Sequence, residues 1–242
     1  IVPLMSGIAD FLGNKKTFMK LFVYLGSSSC MGLYFFDLEN IYLGLLFYFL
    51  ALFSFWASLV FYNSYLPDIA NPSEQDNVSA LGFSYGYIGS VILLLFNLFM
   101  INFPASFGFE ESNQGSVEAM KVSFLTVGFW WIFFSQYTFY HLPSLKNKVS
   151  EKELLKKSIL FSGFKKLISV WKLIKNEKSI KKFLIALFTY YTAVQTIILI
   201  ATYFGDQEII WGEGEKLFGL ILSMLIIQLI AIVGSAGGAL LS

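Results

Sequence analysis

Residues 41–64 read IYLGLLFYFLALFSFWASLVFYNS and contain no charged side chain. An α-helix needs about 20 consecutive apolar residues to cross the hydrocarbon core of a bilayer, and this run is longer than that. The bilayer core offers no water to the backbone, so a spanning segment must satisfy its own hydrogen bonds, as a helix does. Residues 41–64 are therefore predicted to form a membrane-spanning helix.

Similar apolar blocks lie on both sides of this one, separated by polar segments. Hydrophobic residues make up 56% of the chain and charged residues only 14%, whereas about 25% of the residues of a soluble protein are charged. The predicted fold is therefore all-α, a polytopic membrane helix bundle with about six complete spans and part of a seventh. The predicted spans are a tail at 1–9 and complete helices at 17–36, 41–64, 83–103, 117–140, 182–204 and 216–242.

The lysines predict the orientation of the bundle, because basic loops stay on the cytoplasmic side of a membrane. The sequence contains no arginine, and 15 of its 17 basic residues lie in two places, at positions 15–20 and 146–182. A strict alternation of spans puts these two places on one side and leaves only Lys121 and Lys216 on the other. The loops 10–16, 66–81 and 141–181 are therefore predicted to be cytoplasmic.

Residues 141–181 form the longest connector between predicted spans. Its apolar residues recur at three- and four-residue spacing between lysines, a pattern typical of a basic amphipathic helix. Such a helix would lie against the anionic head groups of the bilayer. A solvated linker whose apolar stripe packs on the protein itself is the alternative. Either way, this connector divides the chain into 1–140 and 182–242.

The segment before the first complete span reads PLMSGIADFLGNKK at positions 3–16. It resembles the loop between the second and third helices of major facilitator transporters, whose signature places a glycine, an aspartate, a second glycine and several basic residues in that order. Asp10 and Gly13 match this signature, and Lys15 and Lys16 supply basic residues. Ser6 replaces the first glycine and Phe11 the first basic residue.

Three further segments resemble the vacuolar-effluxer-like branch of that superfamily, which includes yeast vacuolar amino-acid effluxers and bacterial members. They are FYNSYLPDIA at 61–70, the stretch from Val78 to Gly89, and the predicted span around Gln195. The resemblance implies a fragment that runs from the end of helix two to the end of helix eight of a twelve-helix protein. Residues 1–140 would belong to the amino-terminal half and 182–242 would begin the carboxy-terminal half. The missing helices of the same chain would be its partners, and the bacterial inner membrane its location.

The resemblance implies a secondary transporter of a small solute that works by alternating access, with amino-acid efflux as one candidate activity. A non-transporting scaffold or receptor-like membrane protein is the alternative, favoured by the scarcity of ionisable residues inside the predicted spans. The chain has one histidine and one cysteine and no phosphate-binding glycine loop, so we expect no enzyme activity, cofactor or metal site. No nucleic-acid partner is expected, because the lysine-rich connector lies between membrane spans.

Uncharged polar and aromatic residues inside the spans are the candidate contacts to a solute. Tyr191 and Gln195 are four residues apart and share one helix face. Each candidate could instead form a hydrogen bond between helices, which is worth about 1 kcal/mol. The candidates are Tyr190, Tyr191, Thr192, Gln195, Thr196, Asn97, Trp130, Gln136 and, in the last span, Gln228.

Two patches of small residues are candidate gating elements, because small side chains let helix backbones approach closely. One patch lies at the start of the predicted span 83–103 and the other at the end of the predicted span 216–242. By resemblance, these two spans are helices five and eight of the major facilitator fold, which meet between its halves. We expect the two patches to close against each other, with tight packing inside one half as the alternative. By resemblance, Asp10 would form a latch with two lysines, and a capped turn with solvated charges is the alternative. Asp68 is expected to cap a short helix. The gating candidates are Asp10, Gly13, Lys15, Lys16, Gly82, Gly86, Gly89, Gly234, Gly237 and Gly238.

Overall fold

The computed structural model describes residues 15–143, 168–169, 171–172, 174, 177–212 and 215–241. Within these ranges the regular structure is helical and no strand occurs. A short helix, Leu66–Ile69, and three 3₁₀ turns, Leu33–Phe35, Leu38–Asn40 and Pro104–Phe107, connect the longer elements. The six long helices are α1 (Lys15–Gly32), α2 (Ile41–Asn63), α3 (Gln75–Asn102), α4 (Asn113–His141), α5 (Lys178–Gln207) and α6 (Glu215–Leu241).

Each predicted complete span corresponds to one of these long helices, which confirms the all-α bundle. The largest difference lies at the start of α3, which begins at Gln75 instead of residue 83. Hydropathy marks only the apolar part of a helix, whereas the helix itself continues into polar sequence. Asp76 in the first turn of α3 is favourable there, because the helix dipole is positive at that end. The predicted tail at 1–9 lies outside the described residues, as does most of 141–181.

The distribution of side chains is that of a membrane bundle. Among the described residues, three segments are long and apolar enough to cross a bilayer, namely Leu38–Ile69, Gln75–Asn102 and Asn113–His141, and a shorter apolar stretch is Gly219–Ser235. Large apolar side chains cover the outside of the helices, whereas Ser27 and Ser54 are fully buried between them. Small residues favour close helix contacts in lipid. The protein is an integral, multi-pass membrane protein.

The helices α1, α2 and α4 enclose the main core. Phe22 of α1 stacks on Phe61 of α2 with ring centroids 5.9 Å apart, and Phe139 of α4 joins the same cluster. The backbones of α1 and α4 approach closely at Gly128, where an added Cβ would lie 2.9 Å from the carbonyl oxygen of Ser27. This site therefore requires a glycine.

The remaining helices are attached through α3. It packs on α4 along one side and on α6 along another, and α5 contacts α6. The two groups of helices that the sequence separates at 141–181 are thus joined through α3 and α6.

Candidate functional site

Two consecutive lysines at the start of α1 fasten three helices together. The Lys15 ammonium donates to the Asp68 carboxylate at 3.0 Å and to the carbonyl oxygen of Ser64 at 2.9 Å. The next ammonium, that of Lys16, donates to the carbonyl oxygen of Leu142 at 2.8 Å. We call these five bonded groups the lysine latch: the ammonium groups of Lys15 and Lys16, the Asp68 carboxylate, and the carbonyl groups of Ser64 and Leu142. It lies at the end of the bundle where α1 begins and α2 and α4 end, which we call the latch end.

The local sequence explains why these acceptors are available. The last carbonyl groups of a helix have no partner within it, and Ser64 and Leu142 directly follow α2 and α4. The negative end of a helix dipole also favours a cation. Pro67 lies in the first turn of the short helix, next to Asp68. The Lys15 side chain is 13% exposed and the Asp68 side chain 29%, so solvent screens their interaction only in part.

The structure changes the predicted role of Asp68. The short helix has Tyr65 as its N-cap residue and shows no side-chain capping hydrogen bond. Asp68 lies within the helix, where its carboxylate receives Lys15 instead of a backbone amide, so the predicted capping role is wrong. Asp10, the third member of the predicted latch, and Gly13, another gating candidate, lie outside the described residues, and their roles stay predictions. Sequence spacing gives no signal for a lysine that meets a carboxylate 53 positions away.

The contact between α3 and α6 lies among the predicted gating residues. The hydroxyl oxygens of Ser84 and Ser235 are 2.7 Å apart and share a hydrogen bond. Gly82 and Gly86 flank Ser84 on α3. Ser84 was not among the sequence candidates, although its place between two glycines is a small-residue signal that could have singled it out.

The glycines themselves have more space than the gating hypothesis assumes. A Cβ added at Gly86, Gly234 or Gly237 would meet no atom within 4 Å, and at Gly89 it would lie 3.9 Å from the Trp130 ring. At Gly82 it would lie 3.1 Å from the hydroxyl of Tyr62 on α2. Gly238 also lies in α6. Two hydroxyls join the helices here, and closure of the glycine patches against each other stays a prediction.

Four of the five solute candidates on α5 are exposed and Gln195 is half-buried. We call these five residues the polar strip: Tyr190, Tyr191, Thr192, Gln195 and Thr196. Tyr190 and Tyr191 are 69% and 51% exposed. Gln195 donates its amide hydrogen to the Tyr191 hydroxyl at 2.8 Å, as their four-residue spacing predicts. Thr196 donates to the carbonyl oxygen of Thr192 within the same helix. The strip is therefore locally ordered, and its role in solute binding stays a prediction.

The solute candidates on α3 and α4 bond to neighbouring helices. Asn97 is 8% exposed and accepts a hydrogen bond from Thr126 at 2.7 Å, which links α3 to α4. Gln136 accepts one from the Tyr24 hydroxyl at 3.0 Å, which links α4 to α1. These are the interhelical bonds that the sequence left open as the alternative. The Trp130 ring packs on that of Phe134 within α4, with centroids 4.5 Å apart.

Gln228 on α6 differs from these residues. Its side-chain oxygen is buried and has no hydrogen-bond partner within the described part of the chain. It precedes Ser235 by two helical turns and so lies on the same face of α6. A buried amide oxygen without a partner is costly, so such a group often awaits a ligand or water. The described residues contain no group of three or more His, Cys, Asp or Glu side chains that could hold a metal ion.

Comparison with known proteins places these features in a family. A family model described as "Vacuole effluxer Atg22 like" matches residues 1–242. The chain belongs to the vacuole effluxer Atg22-like family. This confirms the resemblance found at 61–70 and in the two further segments, and with it the place in the major facilitator superfamily.

The chain is also similar to the uncharacterized MFS-type transporter YxiO of Bacillus subtilis (strain 168). It is 32% identical over 232 residues, which cover 95% of this chain and 50% of the relative. The chain thus spans half the length of that relative. No solved structure matches the chain.

Proposed function

We propose that the protein is a secondary transporter that moves a small solute by alternating access. The contact between α3 and α6 is the observation that supports this proposal most directly. It joins the two helical groups through the Ser84–Ser235 hydroxyl pair, among glycines that leave open space beside them. A hydrogen bond between membrane helices contributes only about 1 kcal/mol. This hydrogen bond can break and re-form at low cost, as alternating access requires.

The solute would be recognised by neutral groups. Gln228 offers a buried amide oxygen without a partner among the described residues, on the face of α6 that carries Ser235. The polar strip on α5 offers hydroxyls, an amide and two tyrosine rings. Amides, hydroxyls and aromatic rings suit a small polar solute of low net charge, and an amino acid is the first class to test. We propose that the transporter moves amino acids out of the cell.

The proposal includes the orientation of the protein in the membrane and the lipids and helices that would contact it. Loops 10–16 and 141–181 would face the cytoplasm of a bacterium, since they contain most of the basic residues. Loop 66–81 contains no basic residue and would lie on the same side because the spans alternate. The segment 141–181 would contact anionic head groups. Helices of the same chain beyond the present sequence would cover the exposed face of α5 and complete the solute site. No nucleic acid, cofactor or metal takes part in this proposal.

A non-transporting scaffold or receptor-like protein is the second candidate. The Asn97–Thr126 and Gln136–Tyr24 bonds favour it, because they give two of the predicted solute contacts a structural role. A protein that needed only a stable bundle would use its polar side chains in this way.

Transport assays separate the two candidates. The full-length parent is reconstituted into proteoliposomes loaded with a mixture of labelled amino acids, and efflux is followed with and without a pH gradient. Efflux of at least one amino acid is expected, and Gln228→Leu should reduce it. Ser223→Ala is the matched control, because within the described part of the chain this hydroxyl bonds only the Leu220 carbonyl of its own helix.

Each outcome of this assay has a definite meaning. Efflux that is equal in wild type and Gln228→Leu would remove Gln228 from the solute site and leave transport standing. Absence of efflux for every amino acid would refute the amino-acid proposal. If a broad panel of other solutes also failed to move, the scaffold candidate would replace the transporter.

A further inference from the structure

Several half-buried residues of α6 lie on one face of the helix. They recur at alternating intervals of four and three residues, the spacing of a single helix face. The Ser235 hydroxyl meets that of Ser84 on α3, so this face of α6 is turned towards α3. The residues of the face are Ile221, Leu225, Gln228, Ile232 and Ser235.

Gln228 places a hydrogen-bond acceptor within the apolar part of this face. Its side-chain oxygen is buried and has no hydrogen-bond partner in the described part of the chain. The residues one turn before and after it on this face are Leu225 and Ile232, whose side chains carry no hydrogen-bond donor. A buried acceptor that lacks a donor is costly. The site therefore favours a molecule that brings a donor to this oxygen.

The position of Gln228 suits a contact with a solute. It lies near the middle of α6, which runs from Glu215 to Leu241. Secondary transporters bind their solute near the midplane of the bilayer, between groups of helices. In this chain α6 belongs to the second group of helices and packs on α3 of the first. The unpartnered oxygen is thus at the depth and at the junction where a solute would be held.

The chemistry of the amide oxygen restricts what can meet it. A carbonyl oxygen only accepts hydrogen bonds, so the group opposite must carry an N–H or an O–H. A hydrogen bond from an ionised donor is about twice as strong as one from a neutral donor. An ionised carboxylate has no hydrogen to donate. Of the two charged groups on the α-carbon of an amino acid, the ammonium is therefore the one that fits this oxygen.

We propose that the side-chain oxygen of Gln228 accepts a hydrogen bond from the α-ammonium group of the solute and makes transport selective for amines. This inference rests on the proposed transport function, and it adds the solute group that a single residue recognises. A 2-hydroxy acid with the same carbon skeleton offers only a neutral donor and would bind more weakly. The corresponding acid with hydrogen at that position offers no donor and would bind most weakly.

Competition in the proteoliposome efflux assay of the full-length protein tests this selectivity. The labelled probe is the amino acid that leaves the vesicles fastest. The competitors, present at equal concentration on both sides of the membrane, are the same amino acid unlabelled, its 2-hydroxy acid and its deaminated acid. For an alanine probe these are alanine, lactate and propanoate. In wild type the amino acid should inhibit efflux most strongly and the deaminated acid least.

Removal of the amide should narrow this difference. Gln228→Met keeps the length of the side chain but has no amide oxygen. The ratio of the inhibition constants of the deaminated acid and the amino acid should fall about tenfold in this variant, which corresponds to about 1.4 kcal/mol. The ratio is taken within one variant, so it does not depend on how much of the protein is active.

Three further variants act as controls. Gln228→Glu keeps an oxygen acceptor and has no amide hydrogen, so it should retain the preference for the amine. Gln228→Asn keeps the amide but withdraws it by one methylene, and it should lower the ratio by a smaller factor than Gln228→Met. Ser223→Ala changes an exposed residue of the same helix and should leave the ratio unchanged.

The possible results separate this inference from the proposed function. Efflux with the same ratio in wild type, Gln228→Met and Gln228→Asn would overturn the inference and leave transport standing. A preference lost in Gln228→Glu as fully as in Gln228→Met would show that the amide hydrogens meet the solute, which also overturns it. Lower stability of Gln228→Met with an unchanged ratio would assign the oxygen a partner within the protein. Absence of efflux for every amino acid would overturn both the proposed function and this inference.

Discussion

The ion pair of the lysine latch gives a prediction whose size follows from its geometry. Asp68→Asn keeps the shape of the side chain and removes the charge that faces Lys15 at 3.0 Å. Exposed ion pairs contribute about 0.2–1 kcal/mol, whereas loss of one partner of a buried pair costs about 3–5 kcal/mol. The two side chains are 13% and 29% exposed, between these limits. We expect Asp68→Asn to lower the free energy of unfolding by about 1–2 kcal/mol.

Removal of the lysine should cost more than removal of the carboxylate. Lys15→Met loses the ion pair and also the charged hydrogen bond to the Ser64 carbonyl at 2.9 Å. A hydrogen bond to a charged group contributes about 1.5–3 kcal/mol. The expected loss is therefore about 3 kcal/mol in all. The carbonyl of Ser64 is left at the end of α2, where water can replace the ammonium.

A double-mutant cycle measures the pair itself. The free energy of unfolding of the full-length protein is obtained by titration of mixed micelles with a denaturing detergent, for wild type, Asp68→Asn, Lys15→Met and the double variant. The coupling energy should be about 1 kcal/mol or more, because the two groups are in direct contact. Lys121→Met, on α4, is the matched control and should change the stability little.

Strict additivity would refute this reasoning. If the coupling energy stayed below about 0.3 kcal/mol, the pair would be no more than an exposed contact. A cost of Lys15→Met no larger than that of Lys121→Met would show that neither the carboxylate nor the carbonyl stabilises the bundle at the latch end.

Three further predictions concern helix contacts. Gly128→Ala should destabilise the protein by more than 1 kcal/mol in the same titration, because the added methyl meets both the backbone and a side chain of α1. Gly86→Ala is the control for this variant. It should cost less stability, since a Cβ at Gly86 meets open space. Gly86→Leu should leave folding intact but reduce transport in proteoliposomes if the glycine patches close against each other, and unchanged transport would contradict that gate. Oxidation of Ser84→Cys with Ser235→Cys, in a chain that carries Cys30→Ser, should cross-link the helices and stop transport until a reductant is added; failure to cross-link would contradict the 2.7 Å approach of the two hydroxyls.

The sequence by itself determined the long helices and the family. The charge-free run at 41–64 predicts α2, and the matching helix is Ile41–Asn63; the segment at 61–70 and its two companions predict the family. These features are local, because hydropathy and short motifs depend on residues that are close along the chain. The start of α3 at Gln75 was missed, since a helix extends into polar sequence where hydropathy no longer marks it.

The partners of the functional side chains were decided by the tertiary structure alone. Lys15 meets Asp68 across 53 positions, and Ser84 meets Ser235 across 151. Such contacts depend on how each helix is rotated about its axis. In a soluble protein a polar face reveals that rotation, but in a bilayer the lipid-facing and core-facing sides are both apolar. The sequence therefore specifies which segments cross the membrane, and only the packed bundle specifies which side chains meet.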